Sequence, residues 1–422
     1  MRNTNKKGFT IVELVVVVAV IAILAAVLIP VFSGVIRQAN IASDTAVAKN
    51  LNEAAIAAGA EDFDAAIAAV REAGYLIANL NAKADECYFV WEDDSNQFLL
   101  YDLKNSEIIY SNSKVEGDPD ASWCFAISNS TIAARVTETL QNITVKNTAA
   151  SVADLKDTIS KGGEATIYID ESIVMDTSNV IEITDANAKI TIDLGTAVVA
   201  GNNNATKSIE NIPFRVTEGE LTLKGGNIQS TGDAYDADGE VMNNVVNVAN
   251  GTLKLESSKI EAPGSTIAIA LVDGAVANIN NSTIIAHDNV IQPSNGSKVT
   301  IHNTSIECAW LAVYSSSLGG SASEVTITGE NGKYHATTSN LLGVYGGKIF
   351  VEDGEFNCDS KDKTFKFYDV TGGQIVLKGG TFNGIDFENL DEATLRGWCN
   401  LSECTKGVTI IKNDGAWYLT VN

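Results

Sequence analysis

The sequence has few basic residues: 29 lysines and arginines stand against 53 aspartates and glutamates, which gives a net charge of −24 at pH 7. A surface that binds nucleic acid needs clustered lysine and arginine side chains to meet the phosphates, so this balance excludes a nucleic-acid partner. Keeping the protein soluble is the simpler reason for the excess of acid. With 422 residues the chain exceeds the usual size of one domain, and we expect at least two folded units.

Patterns that bind metal are also scarce. The sequence holds only three histidines, and none of its six cysteines forms a Cys-x-x-Cys pair, so a structural zinc site is not expected. In an oxidising compartment disulfides are permitted. The candidate disulfide pairs are Cys87 with Cys124 and Cys399 with Cys404.

One long apolar run stands near the N terminus. From Phe9 to Phe32 the only ionisable residue is Glu13. A helix over this run spans about 36 Å, enough to cross a hydrocarbon core of about 30 Å. Three basic residues precede it, and basic residues favour the cytoplasmic side. We therefore predict a single membrane span at 9–32, with the N terminus inside and everything after Phe32 outside.

The carboxylate inside this run needs a partner. An ionised residue in a membrane helix costs about 3 kcal/mol on insertion scales and usually marks function. No lysine or arginine follows Glu13 before Arg37, which lies too far along the helix to reach it. The expected partner comes from another chain or from a new terminus, and a cut after Gly8 would supply an ammonium group at Phe9. An ordinary signal anchor or a cleaved secretory signal is the alternative, but no two alanines in 9–32 are separated by one residue, as a secretory cleavage site requires.

The start of the chain resembles the cleavage and methylation signature of type IV prepilins, a resemblance carried by Gly8, Phe9, Thr10, Glu13 and Pro30. It implies that a prepilin peptidase removes the leader 1–8 by cutting after Gly8 and then methylates Phe9. It also implies that Glu13 pairs with the terminal ammonium of a neighbouring pilin subunit during assembly. Pro30 would mark a kink and a local melting point in the first helix.

After the span, the spacing of apolar residues predicts that the same helix continues to about residue 58, so that one helix covers 9–58. A second helix is predicted from about Asp62 to Ala73, with Gly74 as its stop. Two aromatic-rich runs around the turn residues 93–96 predict a β-hairpin. A long helix followed by a small antiparallel sheet resembles a pilin head, which we assign to 59–147.

From about residue 148 a short amphipathic helix and then a repeat predict a solenoid. Pairs of alternating apolar residues recur at Ile167/Ile169, Ile190/Ile192, Leu221/Leu223, Leu253/Leu255, Ala277/Ile279, Val299/Ile301, Val325/Ile327, Ile349/Val351 and Ile375/Leu377. A second element follows each later pair and alternates one large and one small residue, which therefore point to the same side of a short strand. The large column is Ile228, Ile260, Ile284, Ile306, Tyr334, Phe356 and Phe382, and the small column is Ser230, Ala262, Ala286, Cys308, Ala336, Cys358 and Gly384.

Two cysteines fall in the small column. Cys308 and Cys358 are separated by the coil of Ala336, so at about 4.8 Å per strand they lie about 10 Å apart, beyond disulfide reach. We expect both as reduced, buried residues.

The repeat resembles the right-handed parallel β-helix of pectate-lyase-like surface proteins. An antiparallel β-sandwich also has many short strands, but recurrence of one two-strand unit favours the solenoid. The predicted fold class is therefore a multidomain α+β chain, with a long pilin helix and a small antiparallel sheet followed by an all-β right-handed parallel β-helix over 148–422. The segments LRGWCNLSEC and GAWYLTV are predicted to cap its C-terminal end.

Pectate-lyase-like proteins include polysaccharide hydrolases and lyases, whose signatures are missing here. No Gly-His-Gly occurs, and Arg215 is the only arginine between Ile167 and Leu377. We expect no catalytic residue and no cofactor. The acidic loop TGDAYDADGEV matches an EF-hand calcium loop only in part, which makes it a weak calcium candidate through Asp233, Asp236, Asp238 and Glu240.

These features together predict a type IV pilus subunit or pilin-like surface protein, assembled through its N-terminal helix and displaying an adhesin-like solenoid. The expected partners are the prepilin peptidase, other pilin subunits, the membrane, and a surface polysaccharide or other cell-surface ligand. The chain is expected in the cytoplasmic membrane before assembly and outside the cell afterwards. The alternatives are a carbohydrate-active β-helix enzyme carried on a pilus and a pseudopilin of a secretion system.

Overall fold

The computed structural model of the protein describes residues 11–75, 77, 80, 82–115, 119–127, 130–149, 151–169, 171–175, 180–201, 213–230, 244–262 and 267–422. The chain divides into two compact units. The first comprises residues 1–75, 79–126 and 135–145, and the second comprises 146–422 together with the short segments 76–78 and 127–134.

The first unit is built on one long helix, α1 (Ile11–Ala58). The predicted continuous helix is therefore confirmed over the described residues. Gly59 has a φ of 65°, the left-handed conformation that commonly ends a helix. The second half of α1 buries small and apolar residues against α2 (Phe63–Glu72), which begins where the Asp62 side chain accepts a hydrogen bond from the Ala65 N–H at 2.8 Å.

A four-stranded antiparallel sheet completes the first unit, with its strands in the order β4, β1, β2, β3. The predicted hairpin is confirmed as its central pair, in which Trp91 lies opposite Phe98. Its buried aromatic rings pack edge to face, for example at 5.0 Å between Trp91 and Phe98. The strands are β1 (Cys87–Glu92), β2 (Gln97–Asp102), β3 (Glu107–Tyr110) and β4 (Trp123–Ile127).

Two helices and one strand lead into the repeat. These are α3 (Ser130–Thr139), β5 (Thr144–Thr148) and α4 (Val152–Ser160). The predicted amphipathic helix is α4. It starts at Ser151, whose side chain accepts a hydrogen bond from the Asp154 N–H, and its apolar face joins the solenoid core.

The second unit is a parallel β-solenoid, and a complete coil contains three strands. The first position of the coils is occupied by β6 (Glu164–Tyr168), β9 (Lys189–Gly201), β11 (Glu220–Ser230), β13 (Thr252–Glu256), β16 (Val276–Asn280), β19 (Lys298–His302), β22 (Glu324–Thr328), β25 (Lys348–Val351) and β28 (Gln374–Leu377).

The second position follows each of these after a tight turn, except that β9 and β11 are long enough to serve both positions. Its other strands are β7 (Ile173–Met175), β14 (Lys259–Ala262), β17 (Thr283–Ala286), β20 (Ser305–Cys308), β23 (Lys333–Ala336), β26 (Glu355–Cys358) and β29 (Thr381–Phe382).

The third position forms a separate parallel sheet of nine strands. They are β8 (Ile181–Ile183), β10 (Phe214–Val216), β12 (Asn244–Ala249), β15 (Ile267–Val272), β18 (Asn289–Pro293), β21 (Leu311–Ser316), β24 (Leu342–Tyr345), β27 (Phe365–Tyr368) and β31 (Cys399–Glu403).

The predicted large interior column is confirmed residue by residue, from Ile228 beside Ile260 to Phe356 beside Phe382. The sequence-based prediction misaligned one pair of residues in the first position. Ile192 lies beside Ile167 instead of Ile169, because Ile169 follows the end of β6. The right-handed winding of the coils stays a prediction.

The third strand of each coil is the element that the sequence did not predict. In strands such as β15, buried residues occupy neighbouring positions on both faces, as its burial from Ile267 to Leu271 shows. A strand buried on both faces has no alternation of apolar and polar residues, so period-two reasoning passes over it.

In the six coils from Ile260 to Phe382, the residue at the corner before the second strand changes together with the interior column. Where that column holds isoleucine from Ile260 to Ile306, the corners carry hydroxyl side chains, and the Ser258 N–H donates to Ser282 Oγ at 3.2 Å. Where it becomes aromatic, the corners are glycines. A Cβ at Gly332 would lie 3.1 Å from Tyr334 Cε2, so the rings occupy the space that the hydroxyl side chains fill elsewhere.

The C-terminal end of the solenoid is closed by antiparallel strands. One predicted cap segment forms β33 (Ala416–Val421), which pairs antiparallel with β28 and with β32 (Val408–Asn413). The other segment differs from the prediction, since Cys399–Glu403 within it continues the third sheet parallel to β27. The remaining elements are β30 (Ile385–Asp386), α5 (Glu392–Gly397) and the short 3-10 helices Lys361–Lys363 and Phe387–Asn389.

Candidate functional site

The N-terminal half of α1 is an exposed apolar surface. Ile11 is 81 % exposed in the structure, and large apolar side chains remain exposed along the helix as far as Ile36. The helix is long and apolar enough to cross a membrane, consistent with the span predicted at 9–32.

Glu13 lies in the first turn of α1 and is exposed. Gly8 and Phe9, the predicted processing residues, lie outside the described residues. Pro30 lies within α1, which is helical on both sides of it, so its predicted melting during assembly stays a prediction.

Polar contacts of Arg37, Asp44 and Asn52 help to hold the second half of α1 to the rest of the first unit. Arg37 Nη2 lies 2.6 Å from Asp102 Oδ2. Asp44 accepts hydrogen bonds from the backbone N–H groups of Lys83 and Ala84. Burial disfavours the ionised form of Asp102, but hydrogen bonds from Arg37 and Asn105 outweigh it and lower the pKa of this carboxyl.

Asn52 makes the third of these contacts, and its side-chain amide pairs with a strand as a neighbouring backbone would. Its Nδ2 donates to the Phe98 carbonyl at 2.8 Å, and its Oδ1 accepts from the Phe98 N–H at 2.7 Å. The neighbouring strand β3 reaches only to Tyr110, which lies opposite Leu100. The buried amide of Asn52 therefore completes the ladder where that strand has ended.

The structure does not join the candidate disulfide pairs, since all six cysteines, each within a described range, are thiols. Cys124 lies beside Trp91, four residues along β1 from Cys87, which is about 13 Å away along the strand and beyond disulfide reach. Cys399 instead donates to the Leu395 carbonyl and Cys404 approaches the Gly407 carbonyl. Cys308 and Cys358 are buried thiols on either side of Ala336, as the repeat predicts.

The candidate calcium residues Asp233, Asp236, Asp238 and Glu240 lie outside the described residues. Within the described ranges, no group of three or more histidine, cysteine, aspartate and glutamate side chains is arranged to hold a metal ion. His335 faces outward into a groove of about 610 Å³, where its Nε2 lies 3.0 Å from Asp359 Oδ1. The neighbouring Cys358 is held by hydrogen bonds to two carbonyls, and burial raises the pKa of its thiol to about 11, which makes it a poor nucleophile.

Comparison with known proteins bears on the N terminus. The prokaryotic N-terminal methylation motif matches residues 3–29. This chain carries the N-terminal motif of type IV pilins. A stretch of 50 residues is also 54 % identical to the type IV wide pilus major component PilA4 of Thermus thermophilus. That similarity covers 12 % of this chain and 36 % of PilA4, so the chain matches about a third of the length of this relative. The pilin motif lies at the N terminus, and the similarity to PilA4 is limited to 50 residues.

Sequence reasoning found the motif residues and missed two features. The polar contacts of α1 carry no signal in the sequence, because a buried asparagine in a helix looks like any other polar residue until its strand partner is known. The second missed feature is the outer face of the third sheet. Its side chains could not be assigned because the strands of this sheet were not predicted.

Proposed function

We propose that this chain is a type IV pilus subunit or pilin-like surface protein, held in a filament by α1 and displaying its β-solenoid outside the cell. The observation that carries the proposal is the exposed apolar half of α1 with Glu13 in its first turn. Such a surface is unstable in water and must be covered by lipid before assembly and by other subunits afterwards. The pilin motif at 3–29 supports the same reading.

In this proposal the prepilin peptidase cuts after Gly8 and methylates Phe9, and the ammonium of one subunit pairs with Glu13 of another. The short N terminus starts on the cytoplasmic side, and both folded units lie outside. The solenoid binds a surface ligand and has neither a catalytic role nor a resident cofactor. If deletion of this chain abolished the export of other proteins, that result would instead favour the pseudopilin alternative.

The test is the N-terminal mass of the protein recovered from sheared surface filaments. We expect a chain that begins at N-methylated Phe9, and we expect Glu13→Gln to be processed normally but to be absent from the filament fraction. Glu53→Gln, an exposed carboxylate in the same helix, is the matched control and should assemble normally. A chain that keeps Met1 and stays in the membrane pellet would contradict the proposal.

A further inference from the structure

Three tyrosines meet on the outer side of the third sheet, near its C-terminal end. Tyr314 lies on β21, Tyr345 on β24 and Tyr368 on β27, and all three are half-buried. The ring of Tyr368 contacts both others, with centroids 5.5 Å from Tyr314 and 5.9 Å from Tyr345. We name this cluster, with Gly343 and Lys366 between its members, the tyrosine patch.

Gly343 makes this convergence sterically feasible. The register places Tyr314, Gly343 and Lys366 side by side on three successive strands. The strands of Tyr314 and Tyr368 are two rungs apart, about 10 Å, yet their rings are in contact, so the side chains lean over the middle strand. A Cβ at Gly343 would lie 3.3 Å from Tyr314 Cδ2 and 2.9 Å from Leu311 Cδ2, closer than that packing allows.

Lys366 holds the patch from beneath. Its side chain is only 4 % exposed, and Nζ lies 5.0 Å from the centroid of the Tyr368 ring. The same nitrogen donates to Glu403 Oε1 at 2.8 Å and to Ser402 Oγ at 3.1 Å. Because the Glu403 side chain is 60 % exposed, the ion pair offers a fixed acceptor at the edge of the rings without a free positive charge.

The surroundings of the patch are acidic. The pKa of Tyr368 is raised to about 12, first by burial and then by the nearby charges of Glu403 and Asp288. Burial also raises the pKa of Tyr314, with Glu403 contributing. Tyr314 and Tyr368 therefore stay protonated at neutral pH, and the nearby carboxylates would repel an anionic ligand.

Exposed apolar side chains border the same strand. Four large apolar residues are exposed in the described part of the second unit: Val174, Trp310, Leu318 and Ile411. Two of them, Trp310 and Leu318, stand just before and just after β21 and are 44 % and 49 % exposed. Trp310 and Leu318 therefore lie near the two ends of the strand that carries Tyr314.

We propose that the tyrosine patch binds an uncharged glycan, through one or two of its sugar rings. Aromatic rings with hydroxyl tips match a sugar, which presents an apolar C–H face and a rim of hydroxyl groups. The ion pair of Lys366 and Glu403 supplies a hydrogen-bond acceptor beside the rings. The patch extends across three strands, which is about 10 Å. A stable protein interface buries about 800 Å² on each side, which is more than a patch of this width offers. Its biological purpose rests on the surface display proposed above, but binding itself does not.

The test uses the full chain in detergent, titrated calorimetrically with cellohexaose, xylohexaose, mannohexaose and chitohexaose, and with hexagalacturonate as the acidic comparator. We expect at least one uncharged hexasaccharide to bind, and hexagalacturonate to bind more weakly. Tyr368→Ala should weaken binding about ten-fold or more, and Tyr368→Phe should weaken it less, because it keeps the ring. Gly343→Val should also weaken binding although it leaves every tyrosine in place.

The matched control is Phe350→Ala, which removes an outward aromatic ring from a different sheet and should bind as the unaltered chain does. Circular dichroism checks that each variant is folded. The inference is overturned if no uncharged hexasaccharide binds, if Tyr368→Ala binds equally well, or if the patch proves to capture a surface protein instead. The saccharide titration is independent of the N-terminal mass. If no saccharide binds, the pilus proposal still stands. If a saccharide binds but the chain does not begin at Phe9, the glycan proposal stands and the pilus proposal fails.

Discussion

Asn52 shows how one side chain in the first unit can replace a missing stretch of strand. It lies in the middle of a helix, where an amide has no intrinsic advantage over an apolar residue. Its value comes from the Phe98 N–H and carbonyl, which are buried and paired with it in both directions. An unpaired buried backbone group costs about 1–3 kcal/mol, so this one side chain protects two such groups.

Replacement of Asn52 by leucine should lower the free energy of unfolding of the first unit by about 3 kcal/mol, since both Phe98 groups lose their partner. Asn40→Leu is the control, because Asn40 makes one exposed hydrogen bond to the Lys83 carbonyl and should lose at most about 1 kcal/mol. Urea unfolding of both variants, followed by tryptophan fluorescence, measures the difference. Equal losses in the two variants would show that Asn52 does not complete the strand ladder.

At the scale of the element, the solenoid coil couples its corner to its interior. Hydroxyl corners accompany Ile260, Ile284 and Ile306, and glycine corners accompany the stack of Tyr334, Phe356 and Phe382, whose rings lie 4.6 and 4.8 Å apart. The aromatic coils lack the corner hydroxyl bonds, and Tyr334 Oη has no hydrogen-bond partner among the described residues. Packing of the rings offsets both losses.

This coupling predicts non-additive mutations. Gly332→Ser alone should cost about 1–3 kcal/mol by crowding Tyr334, and Tyr334→Ile alone about 2–4 kcal/mol by leaving a cavity. The double variant rebuilds the arrangement of Ser282 and Ile284, so its cost should fall below the sum by at least about 1 kcal/mol. Thermal unfolding measures the cycle. Gly332→Ser with Phe382→Ile, which are not in adjacent coils, is the control and should be additive.

The coil also explains what the sequence could and could not predict. Ile260, Ile284 and Ile306 alternate with small residues, so their column was predictable from period two alone. Val290 and Ile291 are adjacent and both buried, so their strand had no such period. The motif around Glu13 was recognisable because its residues are neighbours in the sequence. The tyrosine patch was not, because its members come from three coils and meet only once the register is known.

At the scale of the whole molecule, the C-terminal end of the solenoid is its most vulnerable surface. The last parallel strand of the first position, β28, would leave an open row of N–H and carbonyl groups. The antiparallel strand β33 pairs with that row, and Leu419 on it lies fully buried beside Ile375 and Ile410. The cap therefore provides hydrogen-bond partners for the edge strand β28 and shields the core of the solenoid from water.

Leu419→Lys should open this end, because a buried ammonium without a partner is costly and the cap would detach rather than hold it. We expect loss of more than about 4 kcal/mol of stability and the appearance of large oligomers in size-exclusion chromatography with light scattering. Ile411→Lys is the control on the same cap, since Ile411 is 54 % exposed. A monodisperse Leu419→Lys variant would contradict the sealing role of β33.

The repeated register has an evolutionary consequence. Because each strand of a coil pairs with the equivalent strands of the coils before and after it, the backbone pairing can be kept when one whole coil is duplicated or lost. The two ends and the head need not change when this happens. A lineage carrying such a gene can therefore lengthen, shorten or diversify its displayed domain by recombination between repeats, while the N-terminal helix stays under separate selection.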